Sequence, residues 1–386
     1  MEFMLVFLIM QAKRPTWVEI NLNNLAYNFL SIKKDVGDDV SYMAVIKADA
    51  YGHGAVPCAK KLEAAGIDWF AVAIPEEGIE LRDNGIKTPI LCLGGFWEGQ
   101  ERDVLMNDLT PVIYDIKNAE RLNKAATELN TRAKIHVKVD TGMNRVGVRF
   151  DKFAEFAYQL SELKNLEVEG LMTHFAAADS DEQYTLLQIQ RFHESVELFK
   201  RLGFQPKYLD MANSPAAIAY RQARGNMVRL GGLLYGIWED ILPDGVQRPQ
   251  LRRVMSFHTR ISLLKEVPAG EPIGYGLTFR TKRRSIIASL PVGYNDGYPR
   301  LLSNKGFCII RNAYAPIVGR ISMDWTLVDV TEIADVKVGD EVLLIGEQNG
   351  LKVSAEDVAR WCETISYEIT CRINRRVHRI YRDDIG

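Results

Sequence analysis

Residues 42–74 read YMAVI-KADAYGHG-AVPCAKKLEAA-GID-WFAVAI, and this stretch decides the architecture. Tyr42–Ile46 is an unbroken apolar run of strand length, as expected of a strand covered on both faces. Ala55–Ala65 then repeats apolar residues at helical spacing, and Trp69–Ile74 is apolar again. Strand, loop, helix, strand is a βα unit, the crossover that parallel strands require. The alternation continues downstream. The candidate strands are Tyr42–Ile46, Trp69–Ile74, Pro89–Leu93, Pro111–Tyr114, Lys134–Val139, Val168–Thr173, Tyr208–Met211 and Met227–Leu230. Helical patterns such as Glu76–Asn84, Asp151–Leu163 and Glu182–Leu202 separate them. Eight βα units in about 200 residues is the number a (β/α)8 barrel needs. A doubly wound open sheet would show the same alternation, because strand order is invisible in a sequence.

After Tyr235 the texture changes to short strands with turn signals: Val254–Ser262, Ser285–Leu290, Phe307–Ile310, Ala315–Val318, Trp325–Val330 and Glu341–Ile345. Gly339-Asp340 and Gln348-Asn349-Gly350 read as turns. Ser354 can cap a helix that has Glu356 and Asp357 in its first turn. The expected organisation is an N-terminal extension over 1–14, a barrel over 15–243 and a mostly β domain over 244–386. Trp17–Asn21 is an extra strand that can join the β domain. Met4–Met10 (MLVFLIM) is too short to span a bilayer. It lacks the basic flank and the cleavage site of a signal peptide, and reads as a start-site extension or a buried tail.

The 386 residues carry 48 Lys and Arg against 50 Asp and Glu, a net charge of -2. That balance leaves no electrostatic footprint for nucleic acid or for a membrane surface. The five cysteines are dispersed with no C-x-x-C pair, which argues against a disulfide framework or zinc site and fits a reducing cytoplasm. His53, His136, His193, His258 and His378 show no metal-ligand spacing, so no metal is expected.

In a barrel, chemistry collects in the loops after the strands. Lys47 follows the first candidate strand, Asp140–Arg145 the fifth, His174 the sixth and Asn213-Ser214 the seventh. Arg229 and then Gly231-Gly232 come after the eighth. A lysine desolvated at such a mouth becomes nucleophilic and suits Schiff-base chemistry; a lysine snorkelling from a strand end looks the same in sequence. Ser214 and Gly231-Gly232 fall where barrels commonly hold a phosphate, and Ser214-Pro215 also reads as a plain helix start. No GxGxxG or GxxxxGK[ST] motif accompanies them. A phosphate site beside a candidate Schiff-base lysine points to pyridoxal phosphate (PLP). Tyr275, between Gly274 and Gly276, is either an exposed functional phenol or the tip of a hairpin.

The motifs KADAYGHG (47–54), KVDTGMNRVG (138–147), MTHFA (172–176), ANSPAA (212–217), VRLGGLLYG (228–236), GYGLTF (274–279), PVGYNDGYPR (291–300), GRISMD (319–324) and ISYEITCRI (365–373) occur in one order. Together they resemble those of bacterial alanine racemases, from about Thr16 to Tyr381. The resemblance implies a PLP enzyme with a barrel and a C-terminal β domain, interconverting L- and D-alanine with two bases and supplying D-alanine for peptidoglycan. It implies Lys47 as the cofactor-bearing lysine and one base, and Tyr275 of the partner subunit as the other. Tyr51, Asn213, Ser214, Gly231, Gly232 and Tyr367 would surround the phosphate, and Arg229 would face the ring nitrogen. His174 would link Arg229 to Tyr275. Arg145 and Met323 would bind the substrate carboxylate, and Lys138 falls where some relatives carry a carbamylated lysine. A cytoplasmic homodimer with shared sites is implied, with an amino acid as its small-molecule substrate. Asp49, Asn144, Gly232, Trp325 and His378 depart from the usual residues, and Trp325 is expected to narrow the mouth to small substrates. A racemase of another small amino acid such as serine is the alternative. A PLP amino-acid decarboxylase shares the two-domain plan, but its characteristic Cys- and Asp-bearing C-terminal segment is missing. A non-catalytic PLP carrier would lack the β domain.

Overall fold

The computed structural model describes residues 14–383, so the apolar run Met4–Met10 lies outside the described residues. The first strand, β1 (Thr16–Asn21), is followed by β2 (Ser41–Val45), β3 (Trp69–Val72), β4 (Ile90–Cys92), β5 (Leu109–Ile113) and β6 (Ala133–Asp140). A two-residue β7 (Val148–Arg149) lies against the end of β6, and β8 (Leu166–Met172), β9 (Tyr208–Ala212) and β10 (Met227–Leu230) complete the series. The strands pair in parallel in the order β2-β3-β4-β5-β6-β8-β9-β10. The ring closes where Met227 of β10 pairs with Ser41 of β2. The (β/α)8 barrel expected from the sequence is therefore present, and closure removes the open-sheet alternative. Strands β3, β4 and β5 are buried along their whole length, which is why they read as continuous apolar runs.

Helices follow the strands, and two of the longer ones start at polar caps. Asp115 accepts from the backbone N–H groups of Lys117 and Asn118 ahead of Ile116–Glu128, and Asp181 accepts from Tyr184 N ahead of Glu182–Arg201. Each such cap contributes about 1 kcal/mol.

The chain divides into two compact units. One comprises Leu25–Ala50 and Ala55–Arg252, the barrel with its helices. The other comprises the described residues up to Asn24, Tyr51–Gly54, and the chain from Arg253 onward. In this second unit, β11 (Met255–Arg260), β12 (Leu263–Val267), β13 (Pro272–Ile273), β14 (Phe279–Arg280), β15 (Ser285–Leu290), β16 (Phe307–Ile310), β17 (Ala313–Pro316), β18 (Thr326–Asp329), β19 (Glu341–Gln348), β20 (Leu351–Val353) and β21 (His378–Arg382) follow in turn. The main sheet has the order β17-β16-β19-β11-β1-β21. Val18 of β1 pairs antiparallel with Phe257 and parallel with Arg379. Trp17 of β1 stacks on His258 with ring centroids 5.1 Å apart. The helix Ala355–Cys362 opens with a capping box, in which Ser354 Oγ accepts from Asp357 N at 3.0 Å and Asp357 accepts from Ser354 N at 2.8 Å.

Candidate active site

Lys47 stands two residues beyond the end of β2, and the backbone after it is left-handed. Ala48, Asp49, Ala50 and Tyr51 have φ values of 52°, 54°, 53° and 54°. Left-handed backbone costs about 1–2 kcal/mol per non-glycine residue, so the turn must be held from outside. Glu77 does so: one carboxylate oxygen accepts from Ala48 N and the other from Ala73 N, both at 2.7 Å. Asp49 Oδ1 accepts from Ala55 N at 2.8 Å and starts the next helix. Gly52, with φ of 84°, packs so closely that a Cβ there would lie 2.2 Å from the carbonyl oxygen of Thr370.

Arg229 does not follow its strand but lies inside β10, 3% exposed. Its Nη1 bonds Asp210 Oδ1, and also the Asp210 carbonyl at 3.3 Å. Its Nη2 faces three acceptors: Thr173 O at 2.9 Å, Met211 O at 3.2 Å and His174 Nδ1 at 3.2 Å. Because His174 Nδ1 accepts, the ring carries its proton on Nε2. Burial, and then the charges of Arg229, Lys138, Arg145 and Lys47, push the His174 imidazolium pKa well below the ordinary value. Four basic side chains therefore bear on one neutral imidazole. Burial also pulls the Lys138 ammonium down to about 7, with Arg229 and Arg145 acting the same way.

The loops are pinned by a buried hydroxyl chain. Gln188 Nε2 donates to Thr141 Oγ1 at 3.1 Å, Thr141 bonds Thr173 Oγ1 at 2.8 Å, and Thr173 donates to Val139 O at 2.8 Å. Gln188 also donates to His174 O at 3.2 Å. Asp140 Oδ1 accepts from Gly142 N and Asn144 N, both at 3.0 Å, and shapes the loop that carries Arg145. At the end of β9 the helix cap is Asn213 rather than Ser214. The Asn213 side chain accepts from Ala216 N at 3.2 Å, which leaves Ser214 Oγ to accept from Gly231 N at 2.8 Å. Gly232 opens the short turn Gly232–Tyr235.

The remaining expected residues belong to the C-terminal unit. Tyr51 and Tyr367 come together with ring centroids 5.4 Å apart. Tyr275 and Met323 are exposed, at 72% and 51%. The backbone around Met323 is anchored: Tyr294 N donates to Ser322 O and Asn295 N to Met323 O, each at 3.1 Å. The buried Asp296 carboxylate receives Arg14 at 2.7 Å and Arg376 at 2.7 Å, and Arg376 reaches on to Asp324 at 2.8 Å. Sequence reading missed Asp210, Glu77 and Gln188. Asp210 alone left a signal, as an acid inside the apolar strand YLDMA.

Among the described residues, no group of three or more His, Cys, Asp or Glu could hold a metal ion, and no helix is long and apolar enough to cross a membrane. A closed barrel with a strand-end lysine and a cluster of cations at its mouth defines a barrel enzyme that handles anionic small molecules. The family model described as alanine racemase, N-terminal domain, matches residues 20–238, and that for the alanine racemase C-terminal domain matches 254–381. The chain belongs to the alanine racemase family. It is 46% identical over 374 residues to an alanine racemase of Halothermothrix orenii, covering 97% of this chain and 98% of that one. The Clostridium difficile 630 alanine racemase structure superposes with a TM-score of 0.89 at 39% identity, covering 95% of this chain and 96% of that one. A Bartonella henselae alanine racemase with covalently bound pyridoxal phosphate superposes with a TM-score of 0.86 at 28% identity, over 95% and 99% of the two chains.

Proposed function

We propose that this chain is a PLP-dependent racemase that interconverts L- and D-alanine, working in the cytoplasm as a homodimer and supplying D-alanine for peptidoglycan. The observation that carries the reading is the state of Arg229: both terminal nitrogens are engaged, while Nε has no acceptor among the described residues. A guanidinium with one N–H left suits an acceptor such as a pyridine nitrogen, and the basic side chains around His174 suit a phosphate and a carboxylate. PLP bound there withdraws electrons from the amino acid and makes its Cα proton removable.

Racemisation needs a proton carrier on each face of Cα. Lys47 serves one face, held by the turn that Glu77 clamps. Tyr275, exposed on the C-terminal unit, serves the other face in the partner's site. Arg229, always protonated, keeps the ring nitrogen unprotonated. Ser214, Asn213 and the backbone at Gly231-Gly232 hold the phosphate, together with Tyr51 and Tyr367. Arg145 and the Met323 backbone hold the carboxylate. Four of the five free cysteines are buried, which supports the reducing compartment.

A chiral assay on a panel of amino acids tests this directly. Loss of optical rotation at constant mass, with alanine ahead of serine and lysine, is the expected result. Release of carbon dioxide, or no reaction, would overturn it. Borohydride fixation and peptide mapping should place the cofactor on Lys47 alone.

A further inference from the structure

Asp210 lies in the middle of β9, fully buried. One oxygen bonds Arg229 Nη1, and the other, Oδ2, has no hydrogen-bond partner among the described residues. Burial pushes the pKa of this carboxyl up, and the charges of Arg229 and Lys138 act the other way. A buried ion pair gains little net stability over apolar packing of the same volume, and a carboxylate oxygen left without a donor loses more. The return on this residue is therefore geometric. Asp210 takes Arg229 Nη1 through both its side chain and its backbone carbonyl, while Thr173, Met211 and His174 take Nη2. Without the carboxylate, Nη1 would keep only the Asp210 carbonyl at 3.3 Å, and the charge that opposes Arg229 across the strands would be gone.

We propose that Asp210 is the positioning residue for Arg229: it locks the two terminal nitrogens so that Nε is the N–H presented to the cofactor ring. The inference rests on the PLP reading above, and its test separates the two. PLP is titrated into the full-length apo protein and its Asp210→Asn, Arg229→Lys and doubly substituted forms. Protein fluorescence reports binding, and the thermal melt, kcat and KM for alanine are recorded for each. Asp210→Asn keeps the shape and removes the charge. It should weaken PLP binding at least tenfold and lower kcat at temperatures where the melt shows the variant still folded. Arg229→Lys should do the same, and the double variant should be no weaker than the weaker single, because both remove one arrangement. Wild-type affinity and kcat in Asp210→Asn, or losses that multiply in the double variant, would overturn the proposal. Failure of the wild-type protein to bind PLP sinks the cofactor reading instead. If Asp210→Asn does not fold, Asp210→Ala is titrated with and without formate. Restoration of PLP affinity by formate supports positioning. No restoration, or a second failure to fold, assigns Asp210 to the barrel core and overturns the proposal.

Discussion

Tyr275 is delivered by its backbone rather than by packing. Its neighbours Gly274 and Gly276 have φ values of 70° and 71°, and the ring is 72% exposed. Removing its hydroxyl should therefore disturb neither unit. Tyr275→Phe is expected to keep PLP affinity and melting temperature while racemisation falls by about 10² to 10⁴, the usual worth of a general acid–base group. Comparable turnover of both enantiomers in that variant would remove Tyr275 from the mechanism. Lys47 and His174 stand out in the sequence because each follows an apolar strand, and Arg229 because it is a cation within one. Asp210 left only the signal of one acid in the apolar strand YLDMA, and its partner shows only once β9 and β10 pair and bring it to Arg229. Lys134–Val139 was legible as a strand despite its alternating polar residues, of which His136 and Lys138 are buried, as is Asp140.

At the level of elements, the loop after Lys47 was legible as a tight strand-to-helix turn, but its run of left-handed residues was not, because Ala48, Asp49, Ala50 and Tyr51 are not glycines. Glu77 holds that turn to the end of β3, so Glu77→Ala leaves two backbone N–H groups without their carboxylate. We expect a loss of about 1–3 kcal/mol in urea unfolding and weaker PLP retention. Ala48→Gly, by contrast, should cost nothing or stabilise, the reverse of glycine's effect in a right-handed helix. An unchanged unfolding midpoint in Glu77→Ala would show that the turn is held by other contacts. Strand β6 makes a second prediction. His136 is fully buried beside Trp69 and Tyr208, at centroid distances of 5.4 and 5.9 Å, and neither ring nitrogen has a partner among the described residues. Burial, then the charge of Arg229, lowers its pKa to about 3. Above about pH 6.5 the ring is neutral whether the chain is folded or not, and it contributes no pH dependence. Below that, the unfolded chain takes up a proton that the folded barrel refuses. Stability should then fall by about 1.4 kcal/mol per pH unit down to about pH 3. His136→Gln should flatten this slope between pH 6.5 and 4.5 in urea titrations. Parallel slopes for the two proteins would place the proton uptake elsewhere.

For the whole molecule, the reading that Tyr275 acts in the partner's site has a direct consequence. Mixing Lys47→Ala chains with Tyr275→Phe chains should restore activity, because one of the two sites in the mixed dimer then has both bases. Exchange of subunits without any recovery would mean that each chain completes its own site. The barrel was readable from eight apolar runs, but much of the second unit was not. Strand β21 (HRIYR) is rich in charge, and β13 and β14 are two residues each, too short for any periodicity to register. The position of β1 also bears on modularity. The C-terminal family boundary, 254–381, begins well after β1, yet β1 lies between β11 and β21 in the main sheet. Cutting at that boundary would produce a fragment missing an internal strand, with the backbone of β11 unpaired along one edge and β21 detached, a template for aggregation. A chimera that borrows this half from a relative must therefore carry residues 16–21 with it: the unit of exchange in this protein is not a continuous stretch of chain.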